Sequence, residues 1–445
     1  MMQKKSVTVV GAGLVGALWS VFLAKKGYKV TLFDKRRDIR LDTVTAGKSI
    51  NLALSDRGWK ALDAVGLKSA IASITIPMYA RAIHQGEDEK LLPYGKDQQA
   101  IHSVSRLVLN QTLLEEADKL GVVMHFEHAL QKADYKNRKA LFSYQNKVIE
   151  WDFELLFGAD GAYAATRLEY QTQQYPFEYQ QHYIDCCYKE LLIPAVNNDF
   201  VLQPNALHIW PGQSFMLIAL PNQDKSFTCT LFMPPKGENS FEHLNSQQAV
   251  ERFFRKHFAS AVPLMPTLWQ DFQRNPTSHL VTVKCYPWTY NDSFSLIGDA
   301  AHAIVPFFGQ GMNCGFEDCA VLNDLMEEFS EDWSRILPAF QERRKQNTDA
   351  IADLAVENFH EMSAKVADPD FVLQKQIEGY LYKSFPEKWI PSYSLVTFSP
   401  DVSYAEARKR GQQQNTLMQQ VIKEGKLPED LTDTHFLKSI IDRLG

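Results

Sequence analysis

Three glycines, Gly11, Gly13 and Gly16, and one acid, Asp34, are spaced to hold a dinucleotide. Gly11 permits a tight turn, Gly13 lets the backbone approach a pyrophosphate, and Gly16 lets the next helix pack against the strand. The apolar strand Ser6-Val-Thr-Val-Val10 runs straight into this turn, and helix-like sequence follows it. A helix starting there offers free N–H groups and a positive dipole end to phosphate oxygens. Asp34 closes the next strand, Lys29-Val-Thr-Leu-Phe, and suits a ribose hydroxyl. A bare glycine pattern is weak evidence, but this one has its strand, helix and acid. Nicotinamide and flavin dinucleotides both remain open from this motif alone.

Two later motifs select FAD. One is Gly158-Ala-Asp160-Gly161, continuing to Arg167; the other is Gly298-Asp299-Ala-Ala-His302, leading into Pro306-Phe-Phe-Gly309-Gln-Gly311-Met-Asn313. An acid at the end of an apolar strand, followed by small residues, can reach a sugar or ribityl hydroxyl without crowding it. The turn Gly309-Gln310-Gly311 exposes N–H groups just before a helix, which suits the negative charge on the N1/C2=O side of a reduced flavin. Taken singly, Asp160 reads as an ordinary Asp-Gly turn and Asp299 as a helix N-cap. The chain has a single GxGxxG, and a disulfide reductase or a two-domain flavin monooxygenase would need a second such domain.

Stepping from these residues to the elements around them, 445 residues leave room for two or three domains. The pattern is α/β: a Rossmann-type FAD-binding domain, an inserted β-sheet substrate domain and a helical C-terminal region. The boundaries are 1–75, 101–175 and 286–330 for the discontinuous FAD-binding part, 76–100 and 176–285 for the sheet, and 331–445 for the helices. Strands are expected at 207–210, 215–220 and 226–232, and a long helix from about Gly315 with Leu322, Leu325, Met326 and Phe329 on one face. Residues 76–100 read as a hairpin or lid.

Composition excludes several classes. Lys+Arg minus Asp+Glu is 47 − 53 = −6, which gives no nucleic-acid surface. After Lys4 and Lys5 the apolar run is too short for a signal peptide, and the best apolar stretch, Phe215 to Leu220, is strand-sized. Lys426 to Gly445 reads as a surface helix, so the cytoplasm is the default location. The six cysteines form no CxxC and no zinc spacing, so no metal is expected. Cys314 and Cys319 have a redox-pair spacing, but five residues on a helix rotate by roughly 500° and put them on different faces. Reduced, buried thiols are the expectation for all six.

The three motifs resemble those of the single-component flavin aromatic hydroxylases, the group containing 4-hydroxybenzoate hydroxylase. Lys48-Ser-Ile-Asn-Leu-Ala-Leu-Ser-Asp-Arg-Gly58, His208-Ile-Trp-Pro211, Ser226 to Pro234, Gly298 to Asp318 and Val396-Thr-Phe-Ser399 are similar to the kynurenine 3-monooxygenase family, over nearly the whole chain. The resemblance implies FAD bound through Gly11, Gly13, Gly16, Asp34, Arg36, Ala53, Arg106, Leu130, Asp299, Met312 and Asn313. It implies L-kynurenine held at its amino-acid end by Arg81, Tyr94, Asn358 and Tyr404, with Ile218, Phe232, Pro306 and Phe307 around the ring. An Arg fork, Tyr hydroxyls and an Asn amide suit a carboxylate, although each alone reads as a surface or packing residue.

The activity so implied uses NADPH and O2 to hydroxylate L-kynurenine at ring C3, giving 3-hydroxy-L-kynurenine through a flavin C4a-hydroperoxide. The ring amine already donates electrons, so no residue is assigned as a catalytic acid or base. His302 and Gln310 lie in the right segment, but His302 reads equally as structural. Asp34 stands where relatives often have Glu, and Phe308 replaces a polar residue. A C-terminal membrane segment of animal members has no counterpart, which implies a soluble, bacterial-type enzyme. The segment at about 375–410 is expected to close over the pocket. Alternatives kept are the same chemistry on another aromatic acid and a non-catalytic binding protein on this fold. A halogenase is disfavoured because Lys388-Trp-Ile-Pro391 lacks the first Trp of WxWxIP.

Overall fold

The computed structural model describes residues 5–41, 50–86, 88–95, 99–364 and 369–444, so Lys4, Lys48, Ser49 and Gly445 of the sequence reading lie outside the described residues. Ser6–Val10 lies inside a six-stranded sheet ordered Thr289–Tyr290, Phe294–Leu296, Leu155–Gly158, Ser6–Val10, Lys29–Phe33, Val123–His125. Its five main strands run parallel. Parallel strands end on one edge, so Gly11, Asp34, Asp160 and Asp299 are gathered there although they are far apart in sequence. The strand itself is buried after Ser6, and helix Leu14–Lys25 packs against the sheet through Ala17, Leu18, Val21 and Phe22.

A second sheet has seven strands, ordered Ser278–Tyr286, Glu178–Ile193, Phe227–Met233, Met216–Pro221, Ala206–Pro211, Ala80–Gln85, Asp88–Pro93. The three strands read from the sequence are present: the first extends one residue beyond 207–210 at each end, and the other two are each shifted by one residue. Side chains alternate between faces. One face, with Leu191, Leu217, Cys229, Leu231 and Trp210, packs in a core with Val250, Phe254 and Phe272 of helices Gln247–His257 and Leu268–Arg274. Phe232, Met216 and Ile218 point the other way, into a core shared with Phe307, Phe308 and the C-terminal helices.

Two readings need correction. Ile76–Met78 does not join the hairpin but pairs with Ile101–Ser105 in a separate three-stranded sheet with Asn51–Leu54. It is an edge strand there, the place where Pro77, lacking an N–H, is tolerated. The long helix starts at Gly311 rather than near Gly315. Gly309 ends the short turn Pro306–Phe308 in the left-handed region at φ +67°, which frees Gln310 to act as N-cap. Met312 and Asn313 therefore fall in the first helical turn.

The chain continues in helices Trp333–Ala364, Pro369–Ser384, Ser392–Phe398, Tyr404–Glu424 and Thr434–Leu444. Among the described residues no helix is long and apolar enough to cross a membrane. All six cysteines are buried and unpaired.

Candidate active site

The glycine turn shows what each glycine is for. A Cβ on Gly16 would lie 1.9 Å from the Gly11 carbonyl oxygen, and one on Gly11, at φ +110°, would lie 2.4 Å from that of Ala159. Nothing lies within 4 Å of a Cβ on Gly13. Gly11 and Gly16 thus serve the close packing of strand and helix, while Gly13 leaves open space at the helix start. No side chain caps helix Leu14–Lys25, so its first N–H groups are available to a phosphate.

Asp34 is buried and accepts from the Ala12 N–H at 2.7 Å and from Arg36, through its backbone N–H at 2.8 Å and its guanidinium at 2.8 and 2.9 Å. Burial works against its charge, but Arg36 and the backbone donors outweigh it and hold the carboxyl below its ordinary range. Those four bonds use about all the acceptor capacity of a carboxylate. A ribose hydroxyl would therefore take a place now held by the half-exposed Arg36 guanidinium. Asp160 is committed elsewhere: it accepts from the N–H and the hydroxyl of Thr166 and caps helix Ala165–Gln173. Its role in this fold is to satisfy the first turn of that helix.

Asp299, by contrast, is exposed at the strand edge, with the positive charges of Arg106 and His302 acting to keep it ionised. Arg106 opens helix Arg106–Lys119 and is itself exposed. Leu130 lies on strand Ala129–Asp134 opposite Phe142, at the rim of the nucleotide core. Asn313 is buried, and its amide is fully used: it donates to the Ala53 carbonyl at 2.9 Å and the Gly309 carbonyl at 3.0 Å, and accepts from the Ser55 N–H at 2.9 Å. Its side chain is a clamp. What remains for a cofactor is backbone, because the first-turn N–H groups of Gly311, Met312 and Asn313 have no helical carbonyl to bond.

On the opposite face of the seven-stranded sheet, the Arg81 guanidinium lies beside two stacked aromatic rings, 4.7 Å from the Tyr94 centroid and 4.3 Å from that of Tyr393. Among the described residues no carboxylate forms an ion pair with it. The Tyr94 hydroxyl is buried and faces the Arg81 guanidinium and Tyr393, and burial pushes that phenol up. A cation with no carboxylate partner and a buried hydroxyl side by side are the donor set for an incoming carboxylate. Beside them is an apolar wall. Phe307 packs 5.2 Å from Phe232 and 4.7 Å from Phe359, Pro306 is exposed, and Ile218 touches both this cluster and the one containing Tyr94 and Phe398. Asn358 donates to the Phe307 carbonyl at 2.7 Å and so holds the turn that carries the wall.

Tyr404 is not brought to this group. It is fully buried, donates to Gln310 Oε1 at 3.1 Å and has the Arg57 guanidinium 4.1 Å over its ring. The tyrosine beside Arg81 is Tyr393, which also stacks on Tyr94 at 5.7 Å and on Phe308 at 5.5 Å. Nothing local marked it, since a Tyr on a short helix reads as packing. Phe308 packs into that stack.

Arg57, in the Ser-Asp-Arg-Gly string, joins the two ends. It is buried and donates to the carbonyls of Val396 (2.7 Å), Ser399 (3.3 Å) and Val402, and to Glu317 at 2.7 Å. Helix Ser392–Phe398, which carries Tyr393, is thereby fixed to helix Gly311–Glu328. Behind it Asp318 accepts from the Gly298 N–H (2.9 Å), His302 (2.6 Å) and Arg344 (2.7 Å). Burial opposes protonation of His302, but Asp318 overrides it and raises the imidazole to about 10. His302 is a buried structural cation here.

The model of the FAD binding domain family matches residues 4–355. Kynurenine 3-monooxygenase of Flavobacterium johnsoniae is 48% identical over 427 residues, 95% of each chain. The enzyme of that name from Sus scrofa is 44% identical over 422 residues, 94% of this chain and 88% of its own. The chain belongs to the kynurenine 3-monooxygenase family. The fold has solved counterparts in 2-methyl-3-hydroxypyridine-5-carboxylic acid oxygenase (TM-score 0.67, 18% identity, 82% of this chain and 95% of that one) and Pseudomonas aeruginosa PqsL (TM-score 0.66, 16%, 81% and 97%). As a member of the kynurenine 3-monooxygenase family, the chain is an FAD-dependent aromatic monooxygenase. The residues fit that cofactor: open space at Gly13, helix starts at Leu14 and Gly311 without a side-chain cap, and an exposed acid at Asp299.

Proposed function

We propose that this protein hydroxylates L-kynurenine at ring C3, consuming NADPH and O2 and releasing 3-hydroxy-L-kynurenine and water. The observation that carries the reading is the Arg81 guanidinium, free of any carboxylate among the described residues and set against the stacked Tyr94 and Tyr393 beside an apolar wall, in a chain of this family. FAD would lie along Gly11, Gly13, Gly16, Asp34, Arg36, Ala53, Arg106, Leu130, Asp299, Met312 and Asn313. When bound, it would supply the electrons, taken from NADPH, that activate O2, from which the transferred oxygen atom comes.

The chain's own residues bind, orient and exclude water. Arg81 and Tyr94, with Tyr393, take the substrate's carboxylate end, and Ile218, Phe232, Pro306 and Phe307 flank its ring. The first-turn N–H groups of Gly311 to Asn313 face negative charge on the cofactor. Burial of Phe308 and Phe398 against Tyr393 and Tyr94 keeps that end dry. The aniline amine supplies the ring's electron density, so no protein base has to act. We place the enzyme in the cytoplasm.

The test is NADPH consumption under air with and without L-kynurenine, with product mass read in parallel. Stimulation together with one added oxygen atom is the expected result. Stimulation without added oxygen would make kynurenine an uncoupling effector. No stimulation would overturn the substrate and leave another aromatic acid in its place.

A further inference from the structure

On the sheet face opposite Arg81, three neighbouring strands bring two imidazoles and a carboxylate together. His84 and Glu89 are cross-strand partners in the hairpin Ala80–Gln85/Asp88–Pro93, and His208 lies on the adjoining strand Ala206–Pro211. His84 Nε2 is 2.9 Å from His208 Nδ1, and His84 Nδ1 is 3.7 Å from the Glu89 carboxylate. One ligand atom from each residue falls within 4.8 Å of the others.

The surroundings prepare both rings for coordination. His208 Nε2 is 2.9 Å from the Gln203 carbonyl oxygen, which can only accept, so the hydrogen sits on Nε2 and the Nδ1 lone pair faces His84. That is the backbone-carbonyl arrangement that orients metal-binding histidines. Trp210 stacks on His84 at 4.1 Å and 7°, fixing its plane. Burial keeps both imidazoles neutral, with His84 lowered to about 4, so neither has to lose a charge to bind.

We propose that His84, His208 and Glu89 form a binding site for a borderline divalent cation such as Zn2+ or Ni2+, with solvent completing the coordination. Two imidazoles and one carboxylate favour such ions over Mg2+ or Ca2+. Two nitrogens on a tetrahedral zinc at its usual bond lengths are about 3.3 Å apart, so the rings need to open by only a few tenths of an ångström. The hydrogen now between the rings moves from His84 Nε2 to Nδ1, and no net proton is released. Glu89 is exposed at the sheet edge, which gives the ion an entry path. The same hairpin carries Arg81 and leads into Tyr94, so a bound ion would tie the substrate-end hairpin to the body of the sheet.

Calorimetric titration of the full-length, FAD-loaded protein with Zn2+ tests this. One saturable equivalent is expected, weakened about tenfold or more in Glu89→Gln and lost in His84→Ala. Glu89 is exposed, so its variant keeps the fold and separates ligation from structure. No saturable binding, or equal affinity in wild type and both variants, would overturn the site and place any bound zinc on other groups.

Discussion

Replacing Arg81 with Met should damage activity strongly while leaving stability nearly intact, and the reason is what Arg81 lacks. The guanidinium has two tyrosine rings against it but no carboxylate partner among the described residues. Its removal therefore strands no buried anion. The fold loses two cation–π contacts, about 0.5–1 kcal/mol each, and sheds a desolvated charge, which offsets them; the net change should stay within about 1 kcal/mol. The substrate carboxylate, however, would enter a dry pocket with no cation. Leaving it unpaired costs about 2–4 kcal/mol, or roughly 30- to 900-fold in kcat/KM. The assay is steady-state product formation on L-kynurenine and on the matching aryl ketone without the amino-acid end, together with a melting curve. The ketone should be turned over equally by variant and wild type. A loss below threefold on kynurenine, or an equal loss on the ketone, would refute the assignment of Arg81 to the carboxylate.

Three more expectations concern the supports of the site. Tyr393→Phe should raise the kynurenine KM, whereas Tyr404→Phe, which breaks only the bond to Gln310, should leave KM within about twofold; reversed KM effects would reinstate Tyr404. His302 is raised to about 10 against about 6.5 unfolded, so its contribution is complete below pH 6.5 and is lost as pH rises through 10. Stability should fall by about 1.4 kcal/mol per pH unit over that window, and denaturant melts of His302→Gln should lack that alkaline decline. Gly16→Ala places a Cβ 1.9 Å from the Gly11 carbonyl oxygen, so the purified variant should be colourless; full flavin absorbance would contradict the proposed cradle.

Much of the cofactor edge was legible because its signals are local. A strand, a glycine turn and a helix start are adjacent in sequence, and parallel pairing then places the acids together. Asp160 shows the limit: the motif was visible, but only the Thr166 contacts reveal that the carboxylate caps a helix. Asn313 was likewise picked out, yet its amide turns inward to Ala53, Gly309 and Ser55.

The sequence alone does not tell which C-terminal tyrosine lies beside Arg81: the resemblance points to Tyr404, and the fold puts Tyr393 there and Tyr404 against Gln310. Both sit on C-terminal helices with no backbone signature. Which one meets Arg81 depends on how Arg57, more than 300 residues away along the chain, anchors the carbonyls of Val396, Ser399 and Val402.

By itself, then, the sequence determined the α/β class, the FAD cradle and the family, because those rest on short-range spacing and strand ends. Tertiary structure alone decided which side chains keep free donors and which are already spent. Hydrogen-bond capacity is finite, and its use depends on partners that only folding brings within 3 Å.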